Sequence, residues 1–348
     1  MPHSILLQQR LEEEGFIVHF WYYKDLTPLY PWKILQKKTP YHVFKNNYKD
    51  VKKVFAHAAA ADFLIITGWH TYIHLLLMVY AKIARKKYAL WIDIHTDKIS
   101  AIKKLRNKII LNAAPFLFVT GKVGFQILEE SYGLSVNKMS DFPYLTAEFN
   151  PAITAQINKQ RMASIKQGGM IRLLISNRFI DRKGYSIILD AVKMLPAQVL
   201  ESFEITILGT GPGLDLYKKA FLAVKKNIHF TGWVEYKNYL EHLAACDIFL
   251  HASLDEPFGI PPMDAMACGK MTIGSSGVIS CKDRIFNGVN GFIYKKNNPE
   301  ELAEILTKTV SNKAEIYSIG NSALQTAKVY TPDYNIAVIK KILENKTA

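Results

Sequence analysis

Residues Met170 to Pro196 read MIRLLISNRFIDRKGYSIILDAVKMLP: an extended apolar run, a polar turn with one glycine, then a helical pattern ending on proline. The alternation continues downstream. FEITILG precedes LDLYKKAFLAVKK, NIHFTG precedes YKNYLEHLAACD, and IFLHAS precedes a turn, a short helical run and MTIGS. Short apolar runs separated by amphipathic helices imply strands covered on both faces, hence a parallel sheet. This half reads as a Rossmann-like α/β domain.

Working outward, the first half offers FIVHFWYY, DFLIITG, YALWIDIH and FLFVT as strands. It opens on SILLQQRLEEEG, a helix with a glycine stop, where a doubly wound domain would open on a strand and a glycine-rich turn. A domain without its first strand is the expectation. A chain of 348 residues favours two domains. Thr146–Gly169 shifts to polar, turn-forming composition and reads as the linker. The expected division is an N-terminal domain over 1–165, a C-terminal domain over 166–330, and a terminal helix over 331–348 that packs back on the first domain.

The composition is globular, with 49% hydrophobic and 21% charged residues, and the net charge is +14. Residues 1–165 hold 22 Lys and Arg against 12 Asp and Glu, so the first half carries +10 of that charge. Its clusters KILQKK, KNNYKDVKK, ARKK and KISAIKKLRNK suit an anionic membrane surface or an anionic acceptor, and equally a solvated lysine-rich face. No zinc finger, aromatic-and-glycine signature or arginine richness points to nucleic acid. Gly68, His70 and His74 interrupt the apolar stretch Phe63–Ala81, which reads as strand, turn and helix rather than a span. The first residues lack the basic start and apolar core of a secretion signal, so a cytoplasmic protein is expected. Three cysteines without a CxxC pair give neither a disulfide framework nor a structural zinc. His70 and His74, one helical turn apart, have no third ligand beside them, and no metal site is expected.

The chemistry concentrates in EPFGIPPMDAMACGK, Glu256–Lys270. Two adjacent prolines fit only the first turn of a helix, and Gly269 stops it two turns later. The amino end of that helix, with the N–H groups of Phe258, Gly259 and Ile260, forms an anion site of the kind that holds phosphate. Glu256 lies before the loop and Asp264 within the helix, so each carboxylate can accept from ligand hydroxyls. Such a set matches a diphosphate flanked by a ribose and a hexose. Arg178 and Lys183 follow a strand, where open parallel sheets bind ligands, and can share two phosphates. Arg182 reads as a solvated neighbour. Gly209 and Gly211, in GTGPG, bring backbone N–H groups toward a phosphate. His95 ends the strand YALWIDIH, placed either for sugar or acceptor or as a structural histidine.

Taken together, SNRFIDRKGY, ILGTGPG, the run from IHFTGWVEY to MACGK, and NGVNGFIY resemble the C-terminal half of retaining glycosyltransferases of family four, among the group 1 glycosyl transferases. The resemblance implies a GT-B fold, two Rossmann-like doubly wound domains facing a central cleft. It places Arg178 and Lys183 on the donor diphosphate and Glu256, the first acid of a Glu-x7-Glu motif, at the donor sugar. Phe258, Gly259 and Ile260 hold sugar and phosphate, Asp264 stands where the family's second glutamate reaches the ribose, and His95 matches a histidine of the N-terminal side. Asp264 is one methylene short of that glutamate, and Asn177 replaces a glycine.

The implied function is retaining transfer of a sugar from a nucleotide-sugar to a lipid-linked or polysaccharide acceptor, peripherally at the inner face of the membrane, without a metal or other cofactor. The alternatives are a non-catalytic donor-binding or scaffolding subunit, and another GT-B sugar enzyme such as a phosphorylase or epimerase.

Overall fold

The computed structural model describes residues 2–22, 41–93 and 100–344, the side chains of 2–4 and 41 excepted. The chain forms two compact units, Met1–Leu145 with Tyr330–Ala348, and Thr146–Val329.

Unit 1 begins with α1 (Pro2–Glu13), β1 (Phe20–Tyr22), β2 (Tyr41–Val43) and α2 (Tyr48–Ala60). Gly15 ends α1 in the left-handed region, with its N–H on Glu12 O and that of Phe16 on Leu11 O, so the glycine stop is a Schellman cap. Then β3 (Phe63–Thr67), α3 (Tyr72–Ile83), β4 (Lys87–Ile92), α4 (Ala101–Ala113), β5 (Phe116–Val119), α5 (Gly121–Tyr132) and β6 (Met139–Asp141) follow. Strands β3-β4-β5-β6 form one parallel sheet in chain order. FIVHFWYY contributes only three residues as strand, and they pair with β2 in a separate two-stranded ribbon. Phe16 and Val18 pack instead against the core of α1 and the sheet.

Unit 2 contains α6 (Pro151–Lys166), β7 (Ile171–Ser176), α7 (Tyr185–Met194), α8 (Ala197–Glu201), β8 (Phe203–Leu208), α9 (Leu214–Val224), β9 (Ile228–Gly232), α10 (Tyr236–Ala245), β10 (Ile248–His251), α11 (Ile260–Ala267), β11 (Met271–Ser275), α12 (Ile279–Arg284), β12 (Phe292–Tyr294), α13 (Pro299–Ser311) and α14 (Glu315–Ala327). The sheet order is β12-β11-β10-β7-β8-β9, all parallel. Numbered within the unit this is 3-2-1-4-5-6, the doubly wound order, whose direction reverses between β7 and β10. Helix α15 (Pro332–Glu344) returns to unit 1, where Ile336, Ile339 and Ile342 join Leu7 and Leu11 of α1 against Ala89 and Phe118.

The stretch read as a linker is mostly α6. The Asn150 side chain accepts from the N–H groups of Ala152 and Ile153, and Pro151 opens the first turn, so Asn-Pro starts a helix here instead of marking a turn. Arg161 on α6 then pairs with buried Asp247 at 2.8 Å. These contacts put 146–166 in unit 2, and the boundary falls after Leu145 rather than after 165.

Candidate active site

The reversal between β7 and β10 opens a crevice at their carboxyl ends, the position where ligands of doubly wound sheets bind. Arg178 stands two residues beyond β7, and Asp181–Lys183 form a single 3-10 turn closed by Gly184 in the left-handed region. A Cβ at Gly184 would lie 2.1 Å from Ala252 O, so only glycine lets this turn press on the loop leaving β10. The Arg182 carbonyl accepts from Leu254 N–H, which fastens the two loops.

That packing brings Lys183 and Glu256 together. They form an ion pair and hydrogen bond, Lys183 being only 7% exposed. Burial depresses the Lys183 ammonium below its ordinary range; Glu256 opposes the shift, and Arg182 and Arg178 reinforce it. Burial would raise Glu256, but Lys183, by charge and by hydrogen bond, and then Arg182 hold its carboxylate below the usual value. Arg182, read from the sequence as merely solvated, lies 3.7 Å from Glu256 and donates to Asp255 O at 3.1 Å. Arg178 is exposed and close enough to act on Lys183. Two cations, Lys183 and Arg182, thus flank one carboxylate, and Arg178 lies near the first of them. The backbone of Glu256 is pinned as well, its N–H on Gly277 O and its carbonyl receiving Ile279 N–H.

His251, which ends β10, was not singled out in the sequence. It is 1% exposed, its Nδ1 facing Asn177 Nδ2 at 3.3 Å and its Nε2 facing Ser253 Oγ at 3.2 Å. Burial, then Lys183, lowers its pKa to about 3, so it is a neutral brace between the loops after β7 and β10. A histidine at the end of a strand beside the switch point was the available signal.

Helix α11 begins one residue before Pro261, with Gly259 as a left-handed N-cap at φ 92°. Among the described residues no group accepts from the N–H of Gly259 or Ile260. Gly259 is buried: its missing Cβ would meet Val278 Cγ1 at 2.6 Å, and its carbonyl accepts from Ser280 Oγ. Phe258 is buried too, its ring 4.8 Å from the Arg284 guanidinium carbon. Gly269 ends α11 with its N–H on Met266 O and that of Lys270 on Ala265 O.

Two readings of donor contacts need correction. Asp264 is 1% exposed, and its Oδ1 accepts the N–H of Ala147 at 2.7 Å. Burial raises its pKa to about 8 against the pull of that bond. It is therefore a buried, protonated tie to the start of unit 2 and not an open acceptor for a ribose. Gly209 donates its N–H to Gly232 O. A Cβ there would lie 1.9 Å from Asn177 O, and one at Gly211 2.6 Å from Phe179 O, so both glycines let the loop after β8 lie against the loop after β7. His95 lies outside the described residues.

Residues 156–325 match the family described as Glycosyl transferases group 1. An uncharacterized glycosyltransferase of Methanocaldococcus jannaschii is 25% identical over 280 residues, covering 75% of this chain and 69% of its own length. A glycogen synthase of Clostridioides difficile is 27% identical over 198 residues, 53% of this chain and 40% of that one. Among solved structures, Anabaena HepE in complex with UDP has a TM-score of 0.74 at 19% identity, over 98% of this chain and 94% of that one. The sucrose-phosphate synthase of Thermosynechococcus elongatus has 0.74 at 14% identity, over 97% and 90%. The fold is GT-B, with two Rossmann-like units. The chain is a glycosyltransferase, and its C-terminal unit belongs to the group 1 glycosyl transferases.

Proposed function

We propose that this chain is a retaining glycosyltransferase of family four that takes a nucleotide-sugar donor and acts on a lipid-linked or polysaccharide acceptor at the inner membrane face. The observation that carries the donor half is the pairing of Lys183 and Arg182 with Glu256 at the switch point, with Arg178 near Lys183, beside the amino end of α11. HepE, a structural neighbour, was crystallised with UDP-glucose. As the glycosidic bond breaks, positive charge grows at the anomeric carbon and negative charge on the departing diphosphate. The cations and the Gly259 and Ile260 N–H groups take up the negative charge, and Glu256 faces the sugar. Lys183 shares its charge between Glu256 and the phosphate, both of which oppose the effect of its burial. No divalent ion is assigned to this step.

Two helix faces in unit 1 support the membrane half. On α3, Tyr72, Leu76, Val79 and Ile83 are exposed along one stripe, and on α4 so are Ile102, Leu105 and Ile109. Lys82, Arg85, Lys103, Lys104, Arg106 and Lys108 are exposed on or next to them. Apolar side chains flanked by cations suit the interface of an anionic bilayer, each nearby cation adding about 1 kcal/mol. Among the described residues no helix is long and apolar enough to cross a membrane.

The test is release of nucleoside diphosphate from a panel of nucleotide-sugars, UDP-glucose and GDP-mannose included, with a lipid extract as acceptor and anomeric configuration read by NMR. Turnover with retention that falls at least ~100-fold in Glu256→Gln supports the reading. No turnover with any donor, or an unaffected Glu256→Gln, defeats it. Co-sedimentation with anionic but not neutral vesicles tests the membrane half separately.

A further inference from the structure

Three histidines far apart in the sequence meet in unit 1. His19 precedes β1, His42 is the middle residue of β2, and His57 lies in the last turn of α2. A ring nitrogen of each lies within 4.8 Å of those of the other two. The His19 and His57 rings stack with centroids 4.1 Å apart, and His42 and His57 are 5.1 Å apart. Trp21 covers His42 at 4.4 Å and donates its indole N–H to His57 Nδ1 at 3.1 Å.

Burial first, then His19, keeps His42 and His57 below the ordinary histidine value; Lys53 acts the same way on both, and Asp50 opposes it at His42. Neutral imidazole nitrogens are the ligands that zinc and its neighbours prefer, and three of them with one open position is a familiar zinc geometry. We propose that His19, His42 and His57 bind one divalent cation of the zinc class, with a water in the fourth position on the solvent side of exposed His19. The ion would tie the β1–β2 ribbon to α2, adding to the ring stacking, the Trp21 bond and the packing of Trp21 with Val51, Val54 and Phe55.

Trp21 makes the proposal specific. An indole N–H only donates, so its bond fixes the His57 Nδ1 lone pair toward it and leaves the proton on Nε2. A cation that takes Nδ1 displaces the indole. One that takes Nε2 moves the proton to Nδ1 and sets two donors face to face. Either way the Trp21–His57 bond breaks on binding.

The experiment uses the full chain, titrated with zinc chloride by calorimetry and with cobalt by absorption, alongside tryptophan emission. One equivalent is expected, weakened at least tenfold in His42→Ala and His57→Ala and unchanged in His229→Ala, a surface histidine of unit 2. Emission should change on binding in the wild type and lose that component in Trp21→Phe, which binds zinc at least as tightly. His19→Ala, at an exposed position, weakens binding without disturbing the fold as read by circular dichroism. Absence of one-equivalent binding, binding indifferent to His42→Ala and His57→Ala, or loss of affinity in Trp21→Phe overturns the proposal.

Discussion

Removed from water at its tip, the Lys183 ammonium is lowered by burial, and Glu256 supplies the opposing charge while two arginines work against it. For Asp264, whose carboxyl sits in the interior, burial raises the pKa to about 8 against the pull of the Ala147 N–H and the Tyr239 hydroxyl. The sign of the consequence follows. A carboxyl whose folded pKa exceeds the unfolded value of 3.8 stabilises the fold fully below pH 3.8, and loses that contribution as pH rises through about 8. Asp264→Asn keeps an oxygen for Ala147 N–H and cannot ionise. Denaturant unfolding should therefore show the variant equal to or below the wild type near pH 4 and more stable by a few kcal/mol above pH 8, with a flatter pH profile between. A profile parallel to the wild type would show that Asp264 is not the proton holder described. Nothing in the sequence announced this environment, because the donor to Asp264 is 117 positions away and polar spacing alone reads as a ligand contact. The same holds for Arg182 and His251, whose roles come from loop packing. The placement of Arg178, Lys183 and Glu256 beyond β7 and β10 was legible from chain order alone.

At the scale of elements, the strands of unit 2 were legible because a strand buried on both faces is written as a continuous apolar run, and IRLLIS, FEITIL and IFLH are such runs. In unit 1 the helix α1 and its glycine stop were legible, but the ribbon that follows was not. β1 and β2 have three residues each, too short for a period to register, and Asn150-Pro151 carries the same letters as a turn while capping α6. Glycines were visible as punctuation, but their purpose was not: Gly209, at φ 133°, exists to bring the loop after β8 onto the carbonyl of Asn177. Gly209→Ala places a Cβ inside that backbone oxygen and strains the torsion, so the loop after β7 that carries Arg178 must shift. We expect unfolding to be easier by roughly 2–4 kcal/mol and nucleotide affinity to fall with it. Ala at Gly232, also left-handed but with nothing within 4 Å of its missing Cβ, should cost about 1 kcal/mol and spare affinity. Equal effects at the two glycines would rule out the close approach as the cause.

The whole chain closes on itself through α15, which leaves unit 2 and completes the core of unit 1. Ile336, Ile339 and Ile342 recur every three residues and bury against Leu7, Leu11 and Phe142. Asn335 donates to Pro143 O at 3.0 Å, and Lys87 donates to the carbonyls of Ile342 and Leu343 at the helix end, where a cation also complements the dipole. One buried isoleucine truncated to alanine costs about 2–5 kcal/mol, and a domain's entire stability is about 5–15 kcal/mol. Removing all three with their helix therefore exceeds what unit 1 can lose, whereas among the described residues the core clusters of unit 2 contain none from α15. A chain ending at Thr331 should lack the unfolding transition of unit 1 and keep that of unit 2, and Ile339→Ala should lower only the first, by about 2–4 kcal/mol. Calorimetry resolves the two. Retention of both transitions in the shortened chain would mean that α1 and the β3–β6 sheet stand without the last helix, and that the return of the chain to its first unit is not what completes that core.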